Sequence, residues 1–181
     1  AGRGGRTEDI NMYVPIDLLR PIQEDMMTRG RAIRPPRPWL ASTMTGIAFN
    51  MNANAIVHAA STPVTAHHAV PHGVANAIFL ADGLDILRPA CEEKLAEIAA
   101  ALGEDVALLG AGDGACRGIE AIRRLCADVG LPATLREWGL DPAELDIPRL
   151  VEDAMKSRNI TTNPRPIGPA ELEELYRRVA G

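Results

Sequence analysis

All four histidines of this 181-residue chain fall between positions 58 and 72: His58, His67, His68 and His72. Random scatter would rarely place every histidine in one short stretch. Neutral imidazoles are the commonest transition-metal ligands, so the stretch reads first as a candidate metal site. The outer pair carries most of that reading, His58 in Ile56-Val57-His58 and His72 in Val70-Pro71-His72-Gly73-Val74-Ala75-Asn76-Ala77. Catalytic metal sites usually present at least three protein ligands. His67 or His68, or a carboxylate such as Asp82 or Asp85, would have to complete the shell and leave a water position open. A plainer reading makes His58 a satisfied histidine on an apolar helix and His67-His68 a polar turn. Hydroxyls also lie close by in Ser42, Ser61, Thr62 and Thr65, and Ser61 or Thr62 approaching His58, His67 or His68 would allow a nucleophilic hydrolase. No G-x-S-x-G elbow accompanies them.

The elements that would position these residues are helical. Ser42 or Thr43 can cap a helix through Ile47, Phe49, Ala53, Ile56 and Val57, closed by Thr62-Pro63 because a residue before proline is pushed out of the helical region. His58 would then sit near that helix's C-terminal end. Pro71 suits a first turn, which predicts a helix from Val74 to Leu87 with His72 at its N-terminus. Pro89 starts a third, with Leu95, Ile98, Ala99 and Leu102 on one face and Gly103 as its stop. Asp113 caps a fourth carrying Ile119, Ile122, Leu125 and Val129, closed by Gly130. Asp146 with Pro148 opens Leu150 to Met155, and Gly168 with Pro169 opens Leu172, Leu175 and Val179. Cys116, Cys126, Trp138 and the Leu/Ile stripes are most cheaply explained as core.

The fold class expected is therefore all-α, a helical bundle with a short N-terminal strand/helix arm. Residues 1–40 form the arm: Ile10 to Val14 alternate as a strand would, Asp17 can cap a helix to Gly30, and Arg34-Pro35-Pro36-Arg37-Pro38 reads as a strap. Residues 41–181 form the helical domain. An aromatic content of 3% points to close-packed helices. The net charge of −5, with no basic stripe interleaved with aromatics, excludes nucleic acid as the expected partner. No apolar stretch approaches the roughly 20 residues needed to cross a bilayer, so no membrane partner is expected. Three widely spaced cysteines without a CxxC pair suit reduced thiols and a cytoplasmic setting.

Three segments carry a family resemblance: Thr45-Gly46-Ile47-Ala48-Phe49-Asn50, the run from Val57-His58 to Ala77, and Thr162-Asn163-Pro164-Arg165-Pro166. On these, residues 41–179 resemble the C-terminal part of the helical domain of the iron-containing (group III) alcohol dehydrogenases. The resemblance implies metal-ligand roles for His58 and His72, and Fe²⁺ or Zn²⁺ as the ion. It also implies an oxidoreductase that passes a hydride to nicotinamide. The family's other two ligands, an Asp and a His four residues apart, have no counterpart in residues 1–41, and a further histidine of the family is Thr62 here. No complete NAD site is present: Gly2 to Gly5 is too short a glycine run and precedes no long helix. Residues 9–40, with Asp9-Ile10-Asn11-Met12-Tyr13-Val14-Pro15 and Arg37-Pro38-Trp39-Leu40, are similar to the end of trypsin-like serine peptidase domains of the high-temperature-requirement type, without that family's catalytic triad.

Three functions are consistent with these readings. The first is a stand-alone homologue of the metal-binding domain that retains divalent-metal binding and metal-dependent catalysis. The second is a non-enzymatic helical domain that forms a homo-oligomer, or docks a partner chain, through the face a missing nucleotide domain would uncover. The third is a small hydrolase using a serine or threonine near the histidines.

Overall fold

The computed structural model describes residues 54–181. The expected N-terminal arm, the strap, the cap at Ser42 or Thr43, the segment from Thr45 to Asn50 and the serine-peptidase-like stretch all lie outside the described residues. Every regular element among the described residues is helical, as expected. They are α1 (Ile56–His68), α2 (His72–Leu87), α3 (Glu92–Ala101), α4 (Ala111–Asp128), the single turn α5 (Leu135–Trp138), α6 (Ile147–Met155) and α7 (Pro169–Ala180), with short 3-10 turns between some of them. None of these helices is long and apolar enough to cross a membrane.

The helix starts follow local chemistry. The Asp146 side chain accepts from the Arg149 amide to cap α6, with Pro148 in the first turn, as expected. Glu171 reaches back to accept from the Gly168 amide at 3.0 Å, and Arg165 pairs with the same carboxylate. These contacts hold its carboxyl below the ordinary range, the backbone amides first and Arg165 after them. Gly103 and Gly130 adopt φ of +90° and +76° just past α3 and α4, the left-handed stops their sequence positions predicted.

Four expectations need correction. The helix bearing His58 does not close at Thr62-Pro63; it begins at Ile56 and runs through Pro63 to His68, so His58 lies in its first turn. Pro63 is buried, and its ring removes one backbone donor and crowds the carbonyl one turn back. Two hydroxyls serve the carbonyls of that turn: Thr62 Oγ1 donates to His58 O at 2.7 Å, and Tyr176 Oη donates to Ala60 O at 2.8 Å. Asp113 is not a cap, because α4 starts from Gly110 and Asp113 sits inside its first turn, where a carboxylate favours the helix dipole. Cys116 and Trp138 are exposed and Cys126 half-buried rather than core. Finally, Ile98, Leu102, Leu125 and Val129 are exposed, because α3 and α4 meet along a different seam.

That seam is made of small residues. Gly114 approaches Ala96 so closely that a Cβ on it would lie 2.7 Å from the Ala96 methyl, and a Cβ on Gly118 would strike the Leu95 carbonyl oxygen. With Leu95, Ala99, Ala115, Ile119 and Ile122 turned inward, the rest of each apolar stripe faces outward. The larger core joins α1, α2, α6 and α7 around Ile56, Val64, Phe79, Leu150, Leu172, Leu175 and Tyr176. Phe79 and Tyr176 meet edge to face with ring centroids 5.5 Å apart.

Candidate metal centre

A short connection turns α1 back onto α2. Ala69 ends α1 in the left-handed region (φ 54°), buried Val70 anchors the turn, and Pro71 precedes the first residue of α2, His72. The start of α1 packs on α2, where a Cβ on Gly83 would sit 2.8 Å from a Val57 methyl. One turn into α2, Asn76 shares a face with His72, and on α1 Ser61 shares a face with His58. These two faces oppose each other.

The imidazoles of His58 and His72 lie 5.3 Å apart between ring centroids, with an interplanar angle of 67°. Two imidazoles on one tetrahedral ion, with metal–nitrogen bonds of the usual length, bring their centroids to roughly 5 Å. The pair therefore fits half of a transition-metal shell. His58 is half-buried and His72 exposed, which leaves the pair approachable from one side. Burial lowers the His58 pKa from 6.5, and the neighbouring charge of His72 lowers it further. Both causes favour the neutral ring, the form that ligates a metal.

The other candidates are placed elsewhere. His67 lies nine residues beyond His58 on the same helix, about 13.5 Å along its axis and on the opposite face. Its Nε2 pairs with Asp153 Oδ2 at 2.8 Å, tying α1 to α6. His68, one residue further, is likewise about 15 Å along the axis from His58. Asp82 is engaged by Arg123 at 3.0 Å, and Asp85 by Arg88 and Arg178. Both carboxylates lie well beyond His72 along α2, about 15 Å or more. Among the described residues, no group of three or more His, Cys, Asp or Glu side chains stands where it could hold a metal ion.

Two of the candidate hydroxyls, Ser61 and Thr62, are also committed. Ser61 is fully buried and donates to Asn76 Oδ1 at 2.6 Å, while Thr62 serves the His58 carbonyl. Thr65 Oγ1 is buried with no hydrogen-bond partner. None of these three is hydrogen-bonded to an imidazole among the described contacts. Sequence reasoning missed Asn76, whose Nδ2 lies 3.4 Å from His58 Nε2. The available signal was register: Asn76 is four residues after His72, and Ser61 three after His58.

Known proteins share the sequence and fold of this chain. A family model described as the Fe-containing alcohol dehydrogenase family, C-terminal, matches residues 31–180, so that its match starts within the stretch likened to serine peptidases. The 1,3-propanediol dehydrogenase of Citrobacter freundii is 40% identical over 139 residues, covering 76% of this chain and 35% of that protein. Lactaldehyde reductase of Escherichia coli (strain K12) is 31% identical over 137 residues, covering 76% and 35%. Of solved structures, the alcohol dehydrogenase from Oenococcus oeni aligns with a TM-score of 0.72 at 29% identity, covering 77% of this chain and 36% of that one. The chain thus spans about a third of the length of the relatives it matches.

Proposed function

Because this chain belongs to the family of iron-containing alcohol dehydrogenases, matched through their C-terminal domain, we propose that it supplies half of the metal shell of an alcohol or aldehyde oxidoreductase, with His58 and His72 as the ligands. The observation that carries this reading is the approach of the two rings to 5.3 Å across the α1–α2 turn. Imidazole donors suit Fe²⁺ or Zn²⁺, the ions the family resemblance implies. Such an ion supplies Lewis acidity toward an alcohol or carbonyl oxygen.

The chain's own residues prepare for that role. Burial keeps His58 neutral at physiological pH, so no proton has to leave the ring before it ligates. His72 stands exposed at the start of α2, just after the short turn that buried Val70 anchors. Ser61 and Asn76 close the inner side of the pair. The remaining ligands and the nicotinamide that accepts the hydride would come from outside the described residues.

Elemental analysis after loading with Zn²⁺ or Fe²⁺, on the wild type and on a His58→Ala/His72→Ala variant, tests the reading. We expect metal retained by the wild type and lost in the variant at unchanged helix content. Retention should weaken in acid, where protons compete for His58, and burial moves that competition below the ring's ordinary 6.5. Equal retention in the two proteins would sink it.

A second reading, a helical domain that self-associates or docks a partner chain, is supported by the exposed Ile98, Leu102, Leu125 and Val129 on α3 and α4. Sedimentation at rising concentration reads it directly, and a monomer throughout would count against self-association.

A further inference from the structure

The segment Thr162-Asn163-Pro164-Arg165-Pro166, between the Arg158–Ile160 turn and α7, has no part in the chemistry described so far, yet it grips both helices that carry the histidine pair. Helix α1 needs such help at its start. Its first turn holds no acidic residue, and Ala55 before it has no side-chain oxygen with which to cap it. The acceptor comes instead from 107 positions away: the Ile56 amide donates to Asn163 Oδ1 at 2.8 Å. Asn163 Nδ2 donates in turn to the carbonyls of Asn159 and Ile160, at 3.2 and 2.9 Å. All three of these partners are backbone groups. An N–H can only donate and a carbonyl can only accept, so the Asn163 amide has one orientation that serves them. The Thr162 hydroxyl meets the Asn54 carbonyl just ahead of the helix. Arg165 Nε donates to the Ile86 carbonyl in the last turn of α2 at 3.0 Å, and its guanidinium also pairs with Glu171 on α7.

We propose that Asn163 is a positioning residue for the histidine pair: it holds the first turn of α1 in the place where the His58 ring meets His72. This deepens the metal reading above and rests on it for its functional meaning. His58 lies two residues after Ile56, within a turn closed on the Ala55 carbonyl, which accepts from the His58 and Ala59 amides at 3.1 and 3.2 Å. A displacement of the Ile56 amide is therefore passed on to His58. The same turn sits close against α2, with Ile56 completely buried and Gly83 at the contact with Val57. A cap formed by the helix's own residues would satisfy an amide and move with the helix. A cap from another segment, itself tied to α2 through Arg165, fixes the helix to an outside point. The loop behind Asn163 is well held, since Ser157 caps the Arg158–Ile160 turn and Ile160 is part of the core.

The test uses the whole chain, first without metal. With ring centroids 5.3 Å apart, the ring protons of His58 and His72 should give a nuclear Overhauser contact, assigned by its loss in His58→Ala. Asn163→Ala should weaken that contact and lower Zn²⁺ affinity by about 10-fold, the low end for groups that hold ligands from outside the metal shell. The double variant Ala55→Ser/Asn163→Ala separates positioning from helix stability, because serine supplies a local cap. It should recover the thermal midpoint lost in Asn163→Ala, but neither the ring contact nor the zinc affinity. It also carries the test should the single variant fail to fold. An undiminished ring contact in Asn163→Ala overturns the proposal. So does recovery of both contact and affinity in the double variant, which would make Asn163 a helix cap and nothing more. The metal reading fails separately, when the wild type binds no zinc although its ring contact is present and is lost with Asn163.

Discussion

The α1–α2 pair and the α3–α4 pair are built on opposite plans. The first interlocks with two neighbouring helices over large side chains, so that Phe79, Tyr176 and Leu172 are completely buried and the histidines ride on a thick core. The second closes on itself through glycine and alanine, and its large residues Ile98, Leu125 and Val129 stay between 39% and 63% exposed. Packing with big side chains holds positions far along a helix through many contacts. Packing through glycine brings backbones together but uses little of each apolar stripe. The metal-ligand candidates occupy the pair whose geometry is pinned from several sides, as a site tolerant of only small displacements requires.

Truncation of a core residue should separate the halves most strongly. Phe79→Ala removes the ring that meets Tyr176 and should cost about 3–5 kcal/mol in urea unfolding. Leu125→Ala, at 49% exposure, should stay within about 0.5 kcal/mol. Equal losses would mean that α4 has a partner face of its own.

Adding a single carbon reverses the contrast. Gly118→Ala forces a methyl into the Leu95 carbonyl and should destabilise by about 1–3 kcal/mol despite alanine's better helix propensity. Gly73→Ala on α2 meets nothing within 4 Å and should stabilise by about 0.4–1 kcal/mol. The thermal midpoints of the two variants should therefore move in opposite directions.

Smaller still is the loss in Tyr176→Phe, about 1 kcal/mol, since the phenol serves the carbonyls of Ala60 and Leu150 and connects α1 with α6. If Pro63 relies on that hydroxyl, amide exchange in the turn around it should quicken while α3 and α4 stay unchanged.

The smallest effect concerns Asp85. Burial raises its pKa, but hydrogen bonds and charge from Arg178 and Arg88 outweigh burial and hold it below the ordinary 3.8. A carboxyl lowered in the folded state contributes stability that is whole above its unfolded pKa and is lost as pH falls through the folded one. Asp85→Asn should thus cost under about 1 kcal/mol near neutrality and nothing below that acid range. Unfolding measured across acid pH checks the sign.

Legibility in the sequence followed locality. Asp146 and Pro148 opening α6, Gly168 and Pro169 opening α7, and the left-handed Gly103 and Gly130 were readable because the atoms involved lie within one turn of each other. The His58–His72 pair was readable as a spacing, and the resemblance to iron-containing alcohol dehydrogenases followed from the residues around it. Pro63 misled, because the contact from Tyr176 that serves its turn comes from more than a hundred residues away. The outward face of α3 and α4 misled for a related reason: periodicity counts apolar residues on a stripe, and only the glycine seam decides which side of the stripe is covered.

By itself, then, the sequence determined the helical class, most helix ends and the family, since these rest on local backbone chemistry and on residue patterns. The tertiary structure decided which histidines meet. Helix geometry sends His67 to Asp153 and folds His72 back onto His58, and it sets Ser61 and Asn76 against each other. No spacing along the chain determines such meetings, because they depend on how two helices turn their faces once the core beneath them has packed.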